Sequence, residues 1–287
     1  SNDDIKAMDG ESVAALLEGV ITVMEPGELG NKGSAVDAGL VAAMLGIMDP
    51  TQVQDALTPE MAEDLAGKMS ASDVGLLDSD SAAAMMSTMG AETAATAMEA
   101  DSLASMIGVM DGEAIAQTLD AESAGSIAQA LTRENLEGLG AEQAAGIATA
   151  MDPDQLAALG ADQAAGMATA ISAEPDQLLE MDSESVAAMA TTMEASDMGA
   201  LGSDMVGTMM AAMDSEQLGG MSDEHKAEAL ETTGADHMGA GAANFDEIEA
   251  AATFLSEAPV ETPESFAEMM QAEGAASFFS GMFGGES

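Results

Sequence analysis

Nine apolar residues stand at a nearly constant step along this 287-residue chain: Met48, Met69, Met89, Met110, Leu131, Met151, Ile171, Met193 and Met213. The steps run from 20 to 22 residues. A fixed period of this size marks a chain built by stacking one small unit on itself. It also turns attention from pockets to surfaces, because a stacked array offers an extended face to partners.

Two consecutive units carry the pattern most cleanly. They begin Leu131-Thr-Arg-Glu-Asn-Leu136-Glu-Gly-Leu139 and Met151-Asp-Pro-Asp-Gln-Leu156-Ala-Ala-Leu159, and they continue to Ile147 and Met167 in matching places. Within a unit the large apolar residues fall at steps of three, four, five and eight. That is helical spacing, not the period of two of a strand. Alanine, the best helix former, fills the sites between them.

Helix starts are written into the ladder. Asp49, Asp152 and Asp214 each precede a glutamine by three residues, at Gln52, Gln155 and Gln217. This is a capping box, in which the cap oxygen accepts from an exposed amide and the glutamine reaches back. Pro50 and Pro153 fall at the first helical position, where a missing amide costs nothing. A second start follows about eight residues later, as at Leu77-Asp-Ser-Asp80, Leu119-Asp-Ala-Glu122, Met181-Asp-Ser-Glu184 and Met221-Ser-Asp-Glu224. Each unit therefore reads as a helix of one to two turns followed by one of about ten residues. Such short helices are marginal alone in water. They persist by burying their Met/Leu face on neighbours, at about 1.5–3 kcal/mol per large side chain. The predicted fold is all-α, an α-solenoid of nine to ten short helix pairs with a period of about 20–21 residues.

The ladder divides the chain into three parts. Residues 1–47 read as N-terminal capping helices, about 11–24 and 35–48, around a loop at 25–34. Met8-Asp-Gly-Glu-Ser-Val13 matches Met181-Asp-Ser-Glu-Ser-Val186, so the first helix is a modified unit. Residues 48–232 form the repeat array. At 172–178 its spacing lengthens by two, and Pro175 is placed to kink or restart the short helix. From 233 to 287 the ladder stops, and all six phenylalanines lie in this part.

Composition narrows the function classes. With 53 acidic and 5 basic residues, the formal charge is −48. Binding nucleic acid needs clustered cations, and Lys6, Lys32, Lys68, Arg133 and Lys226 are scattered. An anionic membrane surface repels such a chain for the same reason. No apolar run approaches the roughly 18 residues of a membrane-spanning helix. No cysteine is present, so redox chemistry leaves the compartment open. The chain starts at Ser1 rather than Met, which is the mark of processing or of an added Ser1-Asn2. Processing favours a periplasmic or extracellular setting. The dense carboxylates fit equally the cytoplasm of a salt-adapted or marine organism, where salt screens their repulsion.

Catalysis finds little material. His225 and His237 are the only histidines, each beside an acidic residue, and no G-x-S-x-G elbow is present. The two histidines and the pair Asp78 and Asp80 are the metal candidates the chain offers. Ala83 stands where a calcium loop needs its glycine. Carboxylates otherwise recur at helix starts, where the helix dipole favours them. Weak Ca or Mg binding between successive caps is the only cofactor expectation. The 27 methionines occupy places that leucine and isoleucine take elsewhere in the ladder, so they read as core, not as soft-metal ligands.

The tandem pattern in Leu57-Thr-Pro-Glu-Met-Ala-Glu-Asp-Leu65 and Met151-Asp-Pro-Asp-Gln-Leu156 resembles two families. One is the helical repeats of the N-terminal domain of MgtE-type magnesium transporters. The other is the armadillo-like repeats of flagellar motor switch proteins. The resemblance spans residues 48–230 and implies a helical repeat array; the membrane helices of the first and the basic helices of the second have no counterpart here. The expected function is a non-catalytic structural or scaffold subunit with basic or cation-bridged protein partners. Phe266, Met269, Met270, Phe278, Phe279, Met282 and Phe283 are its candidate anchor, either capping the array or docking on a partner, including a membrane complex. The alternative is a divalent-cation binding or sensing module.

Overall fold

Short polar side chains set the helix starts. Asp49, Asp152 and Asp214 each close a capping box with Gln52, Gln155 and Gln217, and Pro50 and Pro153 occupy the first helical turn. Asp78, Asp120 and Asp182 cap the longer helices, each accepting the amide of a serine three residues on. Two further boxes pair Ser70 with Asp73 and Thr132 with Asn135, so a side chain shorter than Glu or Gln also reaches back. The structure, a computed structural model, describes residues 8–23, 30–31 and 36–233. Among these residues the chain is helical, and the only β pairing is an isolated bridge between Gly30 and Asp37.

Short and longer helices alternate. The short ones include Pro50–Ala56, Ala71–Val74, Ala91–Ala97, Gly112–Thr118, Arg133–Glu137, Pro153–Ala157, Ala195–Ala200 and Ser215–Gly220. Between them lie Pro59–Ala66, Ser79–Met89, Ala100–Val109, Ala121–Ala130, Ala141–Ala150, Ala161–Ile171, Ser183–Thr192, Ser203–Ala212 and Asp223–Thr233. Two departures from expectation have local causes. The second N-terminal helix covers only Ala38–Leu45, because Asp37 caps it and Gly46 ends it. The lengthened unit carries a 3₁₀ helix at Pro175–Glu180, for which Glu174 makes no side-chain cap bond.

The sequence repeats every two helices, but packing repeats every three. Pro50–Ala56 lies on Ser79–Met89, Ala71–Val74 on Ala100–Val109, and Gly112–Thr118 on Ala141–Ala150. Arg133–Glu137 lies on Ala161–Ile171 and Ala195–Ala200 on Asp223–Thr233 in the same relation. Longer helices follow the same rule, as Ala121–Ala130 does on Pro153–Ala157. At the start, Gly30 takes the place of a short helix: a Cβ there would come within 3.0 Å of Leu65. Its φ of 74° is one that glycine adopts without strain.

All nine ladder residues are buried. They sit at the C-terminal ends of the longer helices, where carbonyls lack intrahelical partners. The longer helix four places on supplies those partners. Ser81 Oγ donates to Leu45 O at 2.9 Å, Ser102 Oγ to Met69 O at 2.9 Å, and Gln143 Nε2 to Met110 O at 2.9 Å. Each donor is the third residue of its helix, and among the described residues no buried side-chain polar atom lacks a partner.

Candidate functional site

With the apolar residues inside, the carboxylates are left outside in a regular array. Asp49, Asp78, Asp120, Asp152, Asp182 and Asp214 are exposed, as are first-turn acids such as Glu92, Glu142 and Glu184. Helices packed on one another lie about 8–10 Å apart, so each stacked face repeats its carboxylates at about that spacing. Shallow grooves between packed helices carry some of these acids. One of about 490 Å³ is lined by Asp111, Glu113, Glu142 and Glu180 with Gln177 and Thr149. Another, about 590 Å³, is lined by Glu60, Glu63 and Asp64, with Lys68 bound to Asp64 at 2.6 Å.

One cation organises a whole face. Arg133 Nε donates to Glu137 at 2.7 Å and its Nη1 to Asp197 at 2.9 Å, with Asp162 at 3.7 Å. Asn135 Nδ2 donates to Asp101 at 2.9 Å. These residues belong to four helices, Ala100–Val109, Arg133–Glu137, Ala161–Ile171 and Ala195–Ala200, so the clasp spans residues 101 to 197. Hydrogen bonding first to Glu137 and then to Asp197 holds the guanidinium proton more tightly than usual. This clasp is not legible in the sequence. Arg133 is 29 residues from Asp162, and Asp162 is 35 from Asp197, so the link follows the three-helix spacing and not the 20–21-residue ladder.

The caps tune three carboxyls. Hydrogen bonds from the Ser12 amide and hydroxyl pull Asp9 below its ordinary value, and Ser123 does the same to Asp120. Burial pushes Asp182 up, but the Ser185 amide and hydroxyl pull it down by more, so it too titrates below its ordinary value.

The candidate site residues that lie among the described residues do not converge. Asp78 accepts the Ser81 amide at 2.8 Å as a helix cap, and Asp80 is an exposed first-turn acid of the same helix. His225 is far along the chain and occupied on both ring nitrogens: Nε2 donates to Met193 O at 2.9 Å, and Nδ1 lies 2.6 Å from Ser222 Oγ. It fills the position Ser81 and Ser102 hold in their helices. No three His, Asp or Glu side chains among the described residues are grouped to hold a metal ion. His237 and the anchor candidates Phe266, Met269, Met270, Phe278, Phe279, Met282 and Phe283 lie outside the described residues. Among the described residues no helix is long and apolar enough to cross a membrane.

No family model, curated protein or solved structure matches the chain.

Proposed function

We propose that the chain is a non-catalytic scaffold, an α-solenoid with three helices to each turn, whose acidic outer faces meet basic or cation-bridged protein partners. The observation that carries this reading is the recurrent packing of helices three places apart, from Pro50–Ala56 on Ser79–Met89 to Ala195–Ala200 on Asp223–Thr233, combined with exposed carboxylates at helix starts. A fixed apolar interior then displays charge at a spacing of about 8–10 Å, close to the screening length of about 8 Å at physiological salt. A partner with cations at matching intervals engages several carboxylates at once, and multivalency multiplies weak contacts. The divalent-cation alternative would rest on diffuse attraction to grooves such as the one lined by Asp111, Glu113, Glu142 and Glu180, since no three of the described carboxylates are grouped to hold an ion.

Two helical peptides of equal lysine content test the scaffold reading. One has lysines every seventh residue, about 10 Å apart; the other has them clustered at one end. Tighter binding of the spaced peptide, weakening as salt rises, is expected. Equal affinities defeat recognition by a periodic face. Thermal melts in millimolar Ca²⁺ or Mg²⁺ at fixed ionic strength address the cation reading, which fails if sodium produces the same shift.

A further inference from the structure

The longer helices share a register that exposes a difference between the two ends of the array. Count from the third residue of each helix: Ser12, Ser81, Ser102, Gln143, Gln163, Ser185 and His225 are equivalent, each three residues past its cap. That residue and those three and four places later lie on one helix face, and contacts show that it meets the preceding turn. Ser81 bonds Leu45 O, a Cβ on Gly146 would meet Gly112 O, and one on Gly166 would meet Arg133 O. The residue two places later meets the following turn, as a Cβ on Gly125 would meet Gln155, and the residue five places later lies on that same helix face.

Four places along, the side chain is sealed throughout the array, at Met44, Leu65, Met106, Ile127, Met189 and Met209. In the first helix the equivalent residue is Leu16, and it is 45% exposed. Five places along, Leu17, Leu45, Met86, Ile107 and Ala190 are sealed, but in the last helix Leu230 is 47% exposed. Leu17 is covered where Leu16 is open, and Ala229 is covered where Leu230 is open. Among the described residues each end therefore leaves open the side on which a further turn would stack, and the two ends leave open opposite halves of one interface. Among the described residues the only other large exposed apolar side chain is Leu179, in the irregular 3₁₀ segment.

We propose that the array associates head to tail with a second copy of this chain: the Leu16 face of one copy stacks on the Leu230 face of the next. The interface continues the one that already repeats between turns within each chain. It is heterologous, so it propagates along a line rather than closing as a symmetric dimer. It brings together apolar side chains on strongly acidic bodies, so rising salt strengthens it, whereas an interface built on charge attraction weakens. The proposal rests on the solenoid reading.

The full chain tests this by sedimentation over a range of protein concentrations in about 0.05 M and about 1 M NaCl, where the screening length falls to about 3 Å. Wild type is expected to exceed its monomer mass of 28.7 kDa at high salt, increasingly with concentration. Leu16→Glu and Leu230→Glu, both at half-exposed helix positions, are each expected to stay monomeric with unchanged helical circular dichroism. Mixed in equal amounts they form a dimer and nothing larger, because each retains the end the other needs. A monomeric wild type at every salt overturns the proposal, as does a single variant that dimerises alone or a mixture that stays monomeric. X-ray scattering of the monomeric variants separates this failure from that of the solenoid: an elongated particle that does not associate defeats only the stacking, and a compact one defeats both.

Discussion

The two regular units, residues 131–170, and the lengthened unit that follows, residues 171–192, fill the same place with different short segments. In the regular units a capped α-turn delivers Leu136 or Leu156 to the core. In the lengthened unit an uncapped 3₁₀ turn delivers Leu178, equally buried, while the next residue, Leu179, is thrown 60% into solvent. The longer helix after it is unaffected: Asp182 caps Ser183–Thr192, and Val186, Met189 and Met193 stay buried. The short segment thus keeps its buried leucine and absorbs the insertion, while the longer helix keeps its cap and its register.

The largest test of that division is the plug itself. Leu136→Ala and Leu178→Ala should each cost about 2–5 kcal/mol, the range for emptying a buried leucine site. Leu179→Ala should fall within about 0.5 kcal/mol, as exposed substitutions do. Denaturant unfolding measures all three. A small effect at Leu178 beside a large one at Leu136 breaks the equivalence of the two segments.

The second test concerns how closely each longer helix approaches the short helix it packs on. Gly146 and Gly166 sit where a Cβ would come within 2.9 Å of a backbone oxygen, at Gly112 and Arg133. The lengthened unit has Ala188, half-buried, at the same register position. Gly166→Ala should therefore destabilise by about 1–2 kcal/mol net, overpacking outweighing the helix propensity gained. Ala188→Gly has no such contact to relieve and should cost about 0.5–1 kcal/mol through propensity alone. Stabilisation by Gly166→Ala shows that the two approaches do not differ.

These glycines mark where the sequence stops being legible. The helix starts are readable because Asp49-Pro50 and Asp152-Pro153 act locally, and the ladder is readable because burial selects large apolar residues at each rung. The packing of helices three places apart is not, since a unit of two helices says nothing about which later helix it packs on. Gly146 and Gly166 look like neutral members of alanine-rich helices until Gly112 and Arg133 are brought against them. Of the candidate site residues, Asp78 reads correctly as a helix cap from its sequence context. The carbonyl partner of His225 is 32 residues away and invisible without the stacking.

A third contrast lies in the caps of the longer helices. Asp182 caps the lengthened unit, while Gly140 and Gly160 begin the regular ones with no side-chain bond. Asp182→Ala should cost about 1 kcal/mol at pH 7, typical for a lost cap. Its pH dependence has a definite sign. The folded carboxyl titrates below its ordinary value, so its contribution is fully present above the unfolded pKa of about 3.9 and is lost as pH falls through the folded value. The difference between wild type and variant, measured by urea unfolding, should therefore close below about pH 4. A gap that persists at pH 2 assigns the effect to packing.

The smallest effect belongs to Arg133, whose clasp runs from the regular units to Asp197 beyond the lengthened one. Its side chain and that of Glu137 are each more than a third exposed, so solvent screens the pairs. Exposed ion pairs contribute about 0.2–1 kcal/mol. Arg133→Gln, which keeps a polar donor but removes the charge, should destabilise by no more than about 1 kcal/mol at low salt. With Asp162 and Asp197 left facing Glu137 without their shared cation, the loss should shrink as sodium chloride rises and the Debye length falls from about 10 Å to about 3 Å. Thermal melts of both proteins across that range decide the point. A loss independent of salt makes the guanidinium a packing element, and the continuity of this face past the 3₁₀ turn then owes nothing to charge.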